Sequence, residues 1–133
     1  MKASGFSLVE LMVVVSILTI LAIVAYPAYT SHMTKTRRTN AMGLLLQDAA
    51  FLERCYTLNG NYTLNGNNSC TTLPYAQSPS SGTTIYYTIS IAPGSSDSTY
   101  TLTATPTGVQ ATDGNLTLDN TGAQKRGSAS GWN

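Results

Sequence analysis

Apolar residues are concentrated near the N-terminus of the chain. Between Phe6 and Tyr29, 19 of 24 residues are apolar, and Glu10 is the only charged one. From Leu11 to Thr34 there is no Asp, Glu, Lys or Arg. As a helix, ~24 residues at ~1.5 Å each span ~36 Å, which is enough to cross a hydrocarbon core of ~30 Å. The pattern therefore predicts a membrane-spanning helix.

A second helical pattern follows the apolar run. From Asn40 to Tyr56, apolar residues recur at intervals of three and four, which places them on one stripe of an amphipathic helix. These residues are Met42, Leu45, Ala49, Leu52 and Tyr56. A single apolar stripe needs a partner surface, so we expect this helix to pack on a sheet.

The C-terminal part of the chain alternates between apolar and polar residues, as strands do. The alternating sets are Ile85, Tyr87, Ile89 and Ile91; Tyr100, Leu102 and Ala104; and Leu116 and Leu118. Turn-forming segments separate these sets, and there we interpret Asp97, Asp113 and Asp119 as turn residues. The predicted fold class is α+β, with a long N-terminal helix packed on a small antiparallel sheet, the β-meander 85–126.

Composition excludes several functions. Only 10% of the residues are charged, compared with roughly 25% in an ordinary soluble domain. Seven basic and six acidic side chains give a net charge of +1, so binding of nucleic acid or of an anionic membrane would require a local patch. One His and two Cys exclude dense zinc, haem or iron–sulfur ligand sets. The sequence also contains no Gly-x-Ser-x-Gly elbow and no P-loop, so we predict no enzyme, no cofactor and no metal site.

The apolar run is open to three interpretations. A cleaved secretory signal would be shorter and would end at an A-x-A-like site, which is missing here. A plain transmembrane anchor would be expected to avoid Glu10, because a carboxylate at mid-bilayer costs roughly 2.5 to 3.5 kcal/mol. The third interpretation is a span that later leaves the membrane and packs against copies of itself, where Glu10 meets a positive partner.

The first residues carry a specific motif. Met1-Lys2-Ala3-Ser4-Gly5, followed by Phe6-Ser7-Leu8-Val9-Glu10-Leu11, resembles the signature of the type IV pilin family, a prepilin with a class III leader. That signature is a short basic leader ending in Gly, an aromatic start, and Glu at the fifth position of the mature chain. The resemblance implies cleavage by prepilin peptidase between Gly5 and Phe6, methylation of the new N-terminus at Phe6, and the "lollipop" fold of this family.

Cleavage would place a positive charge near Glu10. The new amine of Phe6 would lie four residues before Glu10, about one helical turn away. In a bundle of identical subunits this amine could instead reach Glu10 of a neighbour and favour one axial register. We therefore assign filament assembly to Phe6 and Glu10. The alternative is a carboxylate at the membrane interface without a partner.

A proline lies within the predicted span. Pro27 removes an amide donor and clashes one turn back, so we expect a helix kink or a locally melted stretch there. A proline at this place is also typical of type IV pilins. Ser16 and Thr19 are expected to bond backbone carbonyls within the helix.

Three basic residues, Lys35, Arg37 and Arg38, follow the span. They conflict with the positive-inside rule if the C-terminal part lies outside, because only Lys2 and the N-terminus lie on the other flank. The prepilin resemblance and the two cysteines favour an external C-terminal part. We expect the basic trio to face acidic surfaces of neighbouring subunits.

The two cysteines, Cys55 and Cys70, would close a loop of about 15 residues, for which a disulfide contributes ~3 kcal/mol. One pair suits an oxidising compartment such as the periplasm, so we predict a disulfide; two free thiols are the alternative. Inside the loop the hexapeptide at 56–61 recurs at once at 62–67. Gly60 is expected to stop the helix, and the second copy to enlarge the loop.

The predicted organisation has four parts. They are a cleaved leader at 1–5, an apolar helix at 6–30 that serves as membrane span and filament core, an amphipathic helix half at 31–56, and a globular head at 57–133. Within the head we place an αβ-loop at 57–84, followed by the meander.

The remainder of the chain is similar to PilE-like minor pilins. The shared motifs lie at Glu53, Arg54 and Tyr56, in segments 59–63, 100–106 and 114–119, and at Trp132. Many such relatives have Cys-Trp near the end, where this chain has Gly131-Trp132. We therefore expect the tail after Lys125 to be less ordered, and Trp132 to pack against the sheet edge.

These resemblances imply a subunit of a bacterial type IV pilus, a minor pilin that acts in adhesion, twitching motility or DNA uptake. Its implied partners are other pilins, prepilin peptidase and the assembly platform. Its implied location is the inner membrane, with a periplasmic head before assembly, and then the extracellular pilus. One alternative is a ComP-like DNA-uptake receptor, with Arg54, Lys125 and Arg126 as the candidate DNA contacts. The other alternative is a pseudopilin of type II secretion.

Overall fold

The structure is a computed structural model that describes residues 5–62, 72–92 and 98–132. In these residues one long helix precedes six strands and a short 3₁₀ helix, so the α+β prediction is confirmed. The elements are α1 (Leu8–Asn59), β1 (Gln77–Ser78), β2 (Tyr87–Ile91), β3 (Thr101–Pro106), the 3₁₀ helix (Gly108–Asp113), β4 (Leu116–Asp119), β5 (Gln124–Arg126) and β6 (Ala129–Ser130).

The chain divides into two compact units. The N-terminal unit, Met1–Lys35, contains the first half of α1. The C-terminal unit, Thr36–Asn133, contains the second half of α1 and the sheet.

Within the N-terminal unit, α1 is helical through Pro27. The locally melted stretch that the proline predicts is therefore not present in this chain, because a single proline removes only one amide donor from the ladder. The kink remains a prediction. The expected back-bonds are confirmed, since the hydroxyls of Ser16 and Thr19 donate to the carbonyls of Met12 and Val15, each at 2.8 Å.

The end of α1 follows the expected glycine. The helix continues to Asn59, three residues beyond the predicted boundary at Tyr56. Gly60 then adopts a positive φ of 73°, and its N–H donates to the carbonyl of Tyr56 at 2.7 Å. This left-handed residue ends the helix, because glycine has no Cβ to clash there.

The strands form one sheet in which each pairs with the next, in the order β1 to β6, and every pair of strands is antiparallel. This is the predicted meander, but it is longer at both ends. Strand β1 lies inside 57–84, which we expected to be loop. It forms because Gln77 and Ser78 pair with Thr88 and Tyr87. At the other end, β6 extends the sheet beyond Lys125.

The C-terminal tail is therefore ordered, contrary to expectation. Trp132 is 7% exposed and belongs to the hydrophobic core. Its indole Nε1 donates to the carbonyl of Thr117 at 3.0 Å. Packing of one large aromatic ring holds the tail without a cysteine, and the expectation that Trp132 packs on the sheet is confirmed.

The core lies between α1 and one face of the sheet. From the sheet it contains Tyr87, Ile89, Tyr100, Leu102, Ala104, Leu116 and Leu118, which include most of the alternating apolar residues. The opposite face is largely Thr and Ser, including Thr88, Ser90 and Thr103, because successive side chains on a strand point to opposite faces. The predicted pattern of strand burial is confirmed except at Ile85, which precedes β2 and is 40% exposed.

The buried side of α1 differs from the predicted stripe. Leu45 and Leu52 are buried as expected, whereas Tyr56 is 40% exposed. The buried helix residues are Ala41, Leu44, Leu45, Asp48, Leu52 and Cys55. The spacing of apolar residues did not predict this buried side, because one of its central positions is the carboxylate of Asp48.

Candidate functional site

The apolar half of α1 is the first candidate site. Among the described residues, α1 is the one helix long and apolar enough to cross a membrane, and its apolar window has a mean hydropathy of 2.8 with no residue buried. Side chains from Phe6 to Tyr29 are exposed in the single chain. An apolar surface of this extent requires lipid or other protein to cover it.

Glu10 lies in the first turn of α1. Its Oε2 accepts a hydrogen bond from the backbone N–H of Ser7 at 3.3 Å, while Ser7 O accepts from Leu11 N. This is half of a capping box, in which a glutamate reaches back to the residue that starts the helix. Sequence reasoning missed this role, although the spacing Ser-x-x-Glu was readable.

The second candidate feature is a polar cluster centred on Asp113, at the end of the 3₁₀ helix. The Arg38 guanidinium donates two hydrogen bonds to it, from Nε to Oδ2 at 2.8 Å and from Nη2 to Oδ1. The Tyr87 hydroxyl donates to Oδ2, as does Gln110 Nε2 at 3.2 Å. Arg126 Nη1 lies 3.9 Å from Oδ1. One carboxylate thereby joins α1, β2, the 3₁₀ helix and β5.

Protonation equilibria reflect this arrangement. Burial alone would raise the pKa of Asp113, but hydrogen bonds from Arg38, Tyr87 and Gln110 outweigh it, and the pKa of the carboxyl is lowered. The hydrogen bond to Asp113 raises the pKa of Arg38. Burial and the same carboxylate raise the pKa of the Tyr87 phenol to about 12. At neutral pH the cluster therefore contains a paired carboxylate and a neutral tyrosine.

Two interpretations from sequence are corrected here. Arg38 forms its ion pair with Asp113 of the same chain, whereas we had expected it to face an acidic surface of a neighbouring subunit. Asp113 precedes a Gly114 with positive φ, as a turn residue would, but its side chain forms the buried cluster instead of a local turn bond. The chain brings these two residues together across 75 positions, which no local pattern reveals.

Arg37 behaves differently from its neighbour. Its guanidinium carbon lies 4.2 Å from the centroid of the Tyr86 ring, a cation–π geometry. Its Nε is buried and makes no hydrogen bond with the described residues. Arg37 is thus held by an aromatic ring, and no acid among the described residues neutralises it.

A third cluster lies at the other end of the sheet. Glu53 accepts hydrogen bonds from the hydroxyls of Tyr62, at 3.0 and 3.1 Å, and Tyr100, at 3.2 Å. The Tyr62 ring packs edge-on against Tyr100 and tilted against Tyr56, with centroids 4.9 and 4.6 Å apart. Burial raises the pKa of Tyr62 to about 12. Nearby, Cys55 is buried and disulfide-bonded.

The cysteine pairing itself stays a prediction. Cys70 is the other cysteine of the sequence, and it lies outside the described residues, as does most of the second copy of the hexapeptide repeat.

The three candidate DNA contacts do not converge. Arg54 is exposed near the end of α1. Lys125 is exposed and pairs in register with Thr117, on the polar face of the sheet. Arg126 pairs with the buried Leu116 on the core face, and there it approaches Asp113. Arg126 is therefore part of the internal cluster.

Two family models match successive parts of the chain. The prokaryotic N-terminal methylation motif matches residues 1–26. The model for the type IV minor pilin ComP, DNA uptake sequence receptor, matches residues 27–117, which is more than half of the chain. The chain belongs to the ComP family of type IV minor pilins. Membership favours the pilus over the type II secretion pseudopilin, and it makes the protein a subunit that assembles into a pilus with other pilins.

Two solved structures are similar to this chain. The chain is similar to the non-core minor pilin PilV of Neisseria meningitidis, with 22% identity and a TM-score of 0.50 over 74% of this chain and 92% of that one. This similarity shows the fold. A type IV pilin from Shewanella oneidensis matches with 29% identity and a TM-score of 0.48 over 68% of this chain and 89% of that one. No curated protein matches the chain.

Proposed function

We propose that this minor pilin is cleaved by prepilin peptidase between Gly5 and Phe6 and methylated at Phe6. The chain is then held in the inner membrane with its C-terminal unit in the periplasm, until the assembly platform moves it into the extracellular pilus. The observation that carries the proposal is the unburied apolar half of α1, in which Glu10 is the only acidic side chain.

Glu10 is suited to an exchange of partners. In the single chain its one hydrogen bond is long, at 3.3 Å, and exposed, so it contributes little stability. The methylated amine of a neighbouring Phe6 would replace a neutral N–H by a charged donor, and charge-assisted bonds are roughly twice as strong. In an apolar filament core only one axial position of the subunit makes this pair, so the pair selects the register.

The test is the recovery of the chain in sheared filaments relative to membranes, with mass spectrometry of the N-terminus. Glu10→Gln keeps the shape and the acceptor for the Ser7 N–H but removes the charge. We expect normal cleavage, normal membrane content and reduced filament recovery. Ser7→Ala, which retains both backbone N–H and carboxylate, is the matched control. Equal filament recovery for Glu10→Gln and the wild type would contradict the proposal.

We further propose that the C-terminal unit binds DNA, as the description of its family model suggests. The unit carries five basic and five acidic side chains, so its net charge does not favour DNA. Contacts to phosphate would therefore have to come from individual exposed cations, while the acids are engaged within the unit. The four acids within the described residues, which are Asp48, Glu53, Asp113 and Asp119, all accept hydrogen bonds from donors of the same unit.

Arg54 and Lys125 are exposed, and we assign them as the two phosphate contacts. With two phosphate contacts, counterion release predicts that the logarithm of the binding constant falls with the logarithm of salt concentration at a slope of about −2. The binding constant of the full chain in detergent should be measured on an uptake-sequence duplex and a scrambled duplex across salt concentrations.

Variants separate the contacts. Lys125→Gln should reduce the slope by about 1 on both duplexes, because it removes one phosphate contact. Thr117→Ala, at the paired position in β4, is the uncharged control and should leave the slope unchanged. A wild-type slope near zero, or no binding to either duplex, would overturn DNA binding and leave the pilin assignment intact.

A further inference from the structure

One end of the C-terminal unit carries a group of two exposed and two half-buried residues that neither filament assembly nor the internal clusters use. We name Arg37, Ile85, Tyr86 and Val109 the basal patch. Thr107 joins its parts, because its hydroxyl donates to the carbonyl of Ile85 at 2.9 Å and its N–H to the carbonyl of Tyr86 at 2.8 Å. Val109 follows two residues later in the 3₁₀ helix.

The basal patch lies where α1 enters the unit. Arg37 is the second residue of the unit, and its neighbour Arg38 bonds Asp113 at the end of the same 3₁₀ helix that carries Val109. At the far end of the helix, Glu53 instead bonds Tyr100, just before β3 begins. The entry end of the unit is therefore distinct from the end that holds the tyrosine cluster.

The patch combines exposed apolar side chains with an uncompensated charge. Val109 is 74% exposed and Ile85 40%, whereas the neighbouring Tyr87 and Gln110 are completely buried. Arg37 stacks on Tyr86 and has no acidic partner among the described residues. Stacking on the ring limits the freedom of the side chain, so ordering it on an anion costs less entropy.

This combination matches a bilayer surface. Aromatic and aliphatic side chains favour the headgroup layer, and a basic side chain there binds anionic lipid. The uncharged run ends at Thr34, three residues before Arg37 in the sequence. DNA would satisfy Arg37 but would offer no apolar surface to Val109 and Ile85.

We propose that the basal patch docks on the anionic membrane surface while the chain is stored in the bilayer. Val109 and Ile85 enter the headgroup layer, and the Arg37 guanidinium binds a lipid phosphate. Docking orders the C-terminal unit at the membrane, and withdrawal of the helix into the pilus releases it. The inference rests on the membrane-anchoring part of the proposed function.

The experiment uses the full chain reconstituted in vesicles, with one added cysteine labelled by a polarity-sensitive fluorophore under non-reducing conditions. Val109→Cys reports on the patch. Leu58→Cys, which is 76% exposed near the C-terminal end of α1, is the matched control. Spin-labelled headgroups should quench the fluorophore at position 109 much more strongly than at position 58. Equal quenching at the two positions would overturn the proposal.

A second arm tests the charge. Phosphatidylcholine vesicles that include about 30% phosphatidylglycerol should raise the ratio of docked to undocked chains. In these vesicles Arg37→Gln should lower that ratio about fivefold, which is the contribution expected of one basic residue at an anionic surface. Arg54→Gln, an exposed arginine later in the same helix, should leave the ratio unchanged. The same loss for both variants would overturn the assignment of Arg37.

The remaining outcomes are also decisive. Shielding of position 109 by added duplex DNA, without quenching by lipid, would assign the patch to nucleic acid and overturn docking. Quenching that depends on protein density in the vesicle would assign it to a second copy of the chain. Flotation of the chain with vesicles is measured in a separate experiment as a test of membrane anchoring. Its failure would refute membrane anchoring itself, whereas flotation without quenching at position 109 would refute only the docking.

Discussion

Arg38 on α1 and Asp113 at the end of the 3₁₀ helix form a two-point ion pair that joins the helix to the sheet. The side chains are only 13% and 4% exposed, so water screens the pair weakly. Tyr87 and Gln110 donate to the same carboxylate. The pair therefore positions the segment that carries Val109, as well as holding the unit together.

Loss of Arg38 should be costly. Arg38→Gln leaves the Asp113 carboxylate buried with only its weaker partners, and we expect the free energy of unfolding to fall by about 3 kcal/mol. Chemical denaturation followed by circular dichroism measures this change. Arg54→Gln, on the exposed surface, should change stability by less than about 0.5 kcal/mol. A change of that small size for Arg38→Gln would show that the pair does not stabilise the unit.

The same pair predicts sensitivity to acid. Because the pKa of Asp113 is lowered in the folded state, its contribution to stability is present above the unfolded pKa and is lost as pH falls through the folded pKa. In Arg38→Gln this loss on acidification should be smaller. A wild-type chain and variant with parallel stability curves below pH 4 would contradict this explanation.

Asp48 should have the opposite effect on stability. Its side chain is completely buried, its Oδ1 accepts from Tyr75 N at 3.1 Å, and its Oδ2 has no hydrogen-bond partner among the described residues. Burial raises the pKa of this carboxyl from 3.8 to about 6. Between pH 3.8 and about 6, Asp48 is deprotonated in the unfolded chain but still protonated in the folded chain. The contribution of Asp48 to stability therefore declines as pH rises through this range and stays low above about pH 6.

Asp48→Asn keeps the acceptor for Tyr75 N–H and removes the charge. We expect it to stabilise the chain by about 1–2 kcal/mol at pH 7.5 and to have little effect at pH 3.5. Thermal unfolding at the two pH values checks this. Stabilisation of equal size at both would show that the charge is not the cause.

Trp132 should anchor the C-terminal strands. Trp132→Ala removes a large buried ring and should lower the free energy of unfolding by about 3 kcal/mol. Trp132→Phe keeps an aromatic ring but loses the Nε1 bond to Thr117, and should cost about 1 kcal/mol through that bond. Unfolding should be followed by circular dichroism and not by tryptophan fluorescence, because both substitutions remove the chain's only tryptophan. Wild-type stability for Trp132→Ala would mean that the tail contributes nothing to the core.

Much of the fold was readable because it depends on local periodicity. The span, the helix stop at Gly60 and the alternating strands of β2 to β4 each follow from residues close together in the sequence. Strands β1, β5 and β6, which no alternating apolar set marks, were missed for the same reason. They are two or three residues long, with little alternation of their own, and exist only because a longer strand provides the partners.

The polar clusters could not be predicted from the sequence, because they depend on contacts between residues far apart in the chain. Six acids scattered over 133 residues carry no spacing signal, and the turn interpretation suits Asp119, which accepts from Thr121 N and Ala123 N. Nothing local distinguishes Asp119 from Asp113, and nothing local shows that Asp48 is buried within its helix. Their different environments arise from which element packs over each carboxylate.

The sequence by itself determined that this chain is a pilin, because the leader motif, Glu10 and the long uncharged run act through neighbouring residues and through the thickness of a bilayer. Only the tertiary structure decided how the charges of the C-terminal unit are used. It buries Asp48, pairs Arg38 and Arg126 with Asp113, and leaves Arg37 on an aromatic ring at the entry end of the unit. Charge pairing depends on distance in space, and that distance exists only once α1 has packed on the sheet.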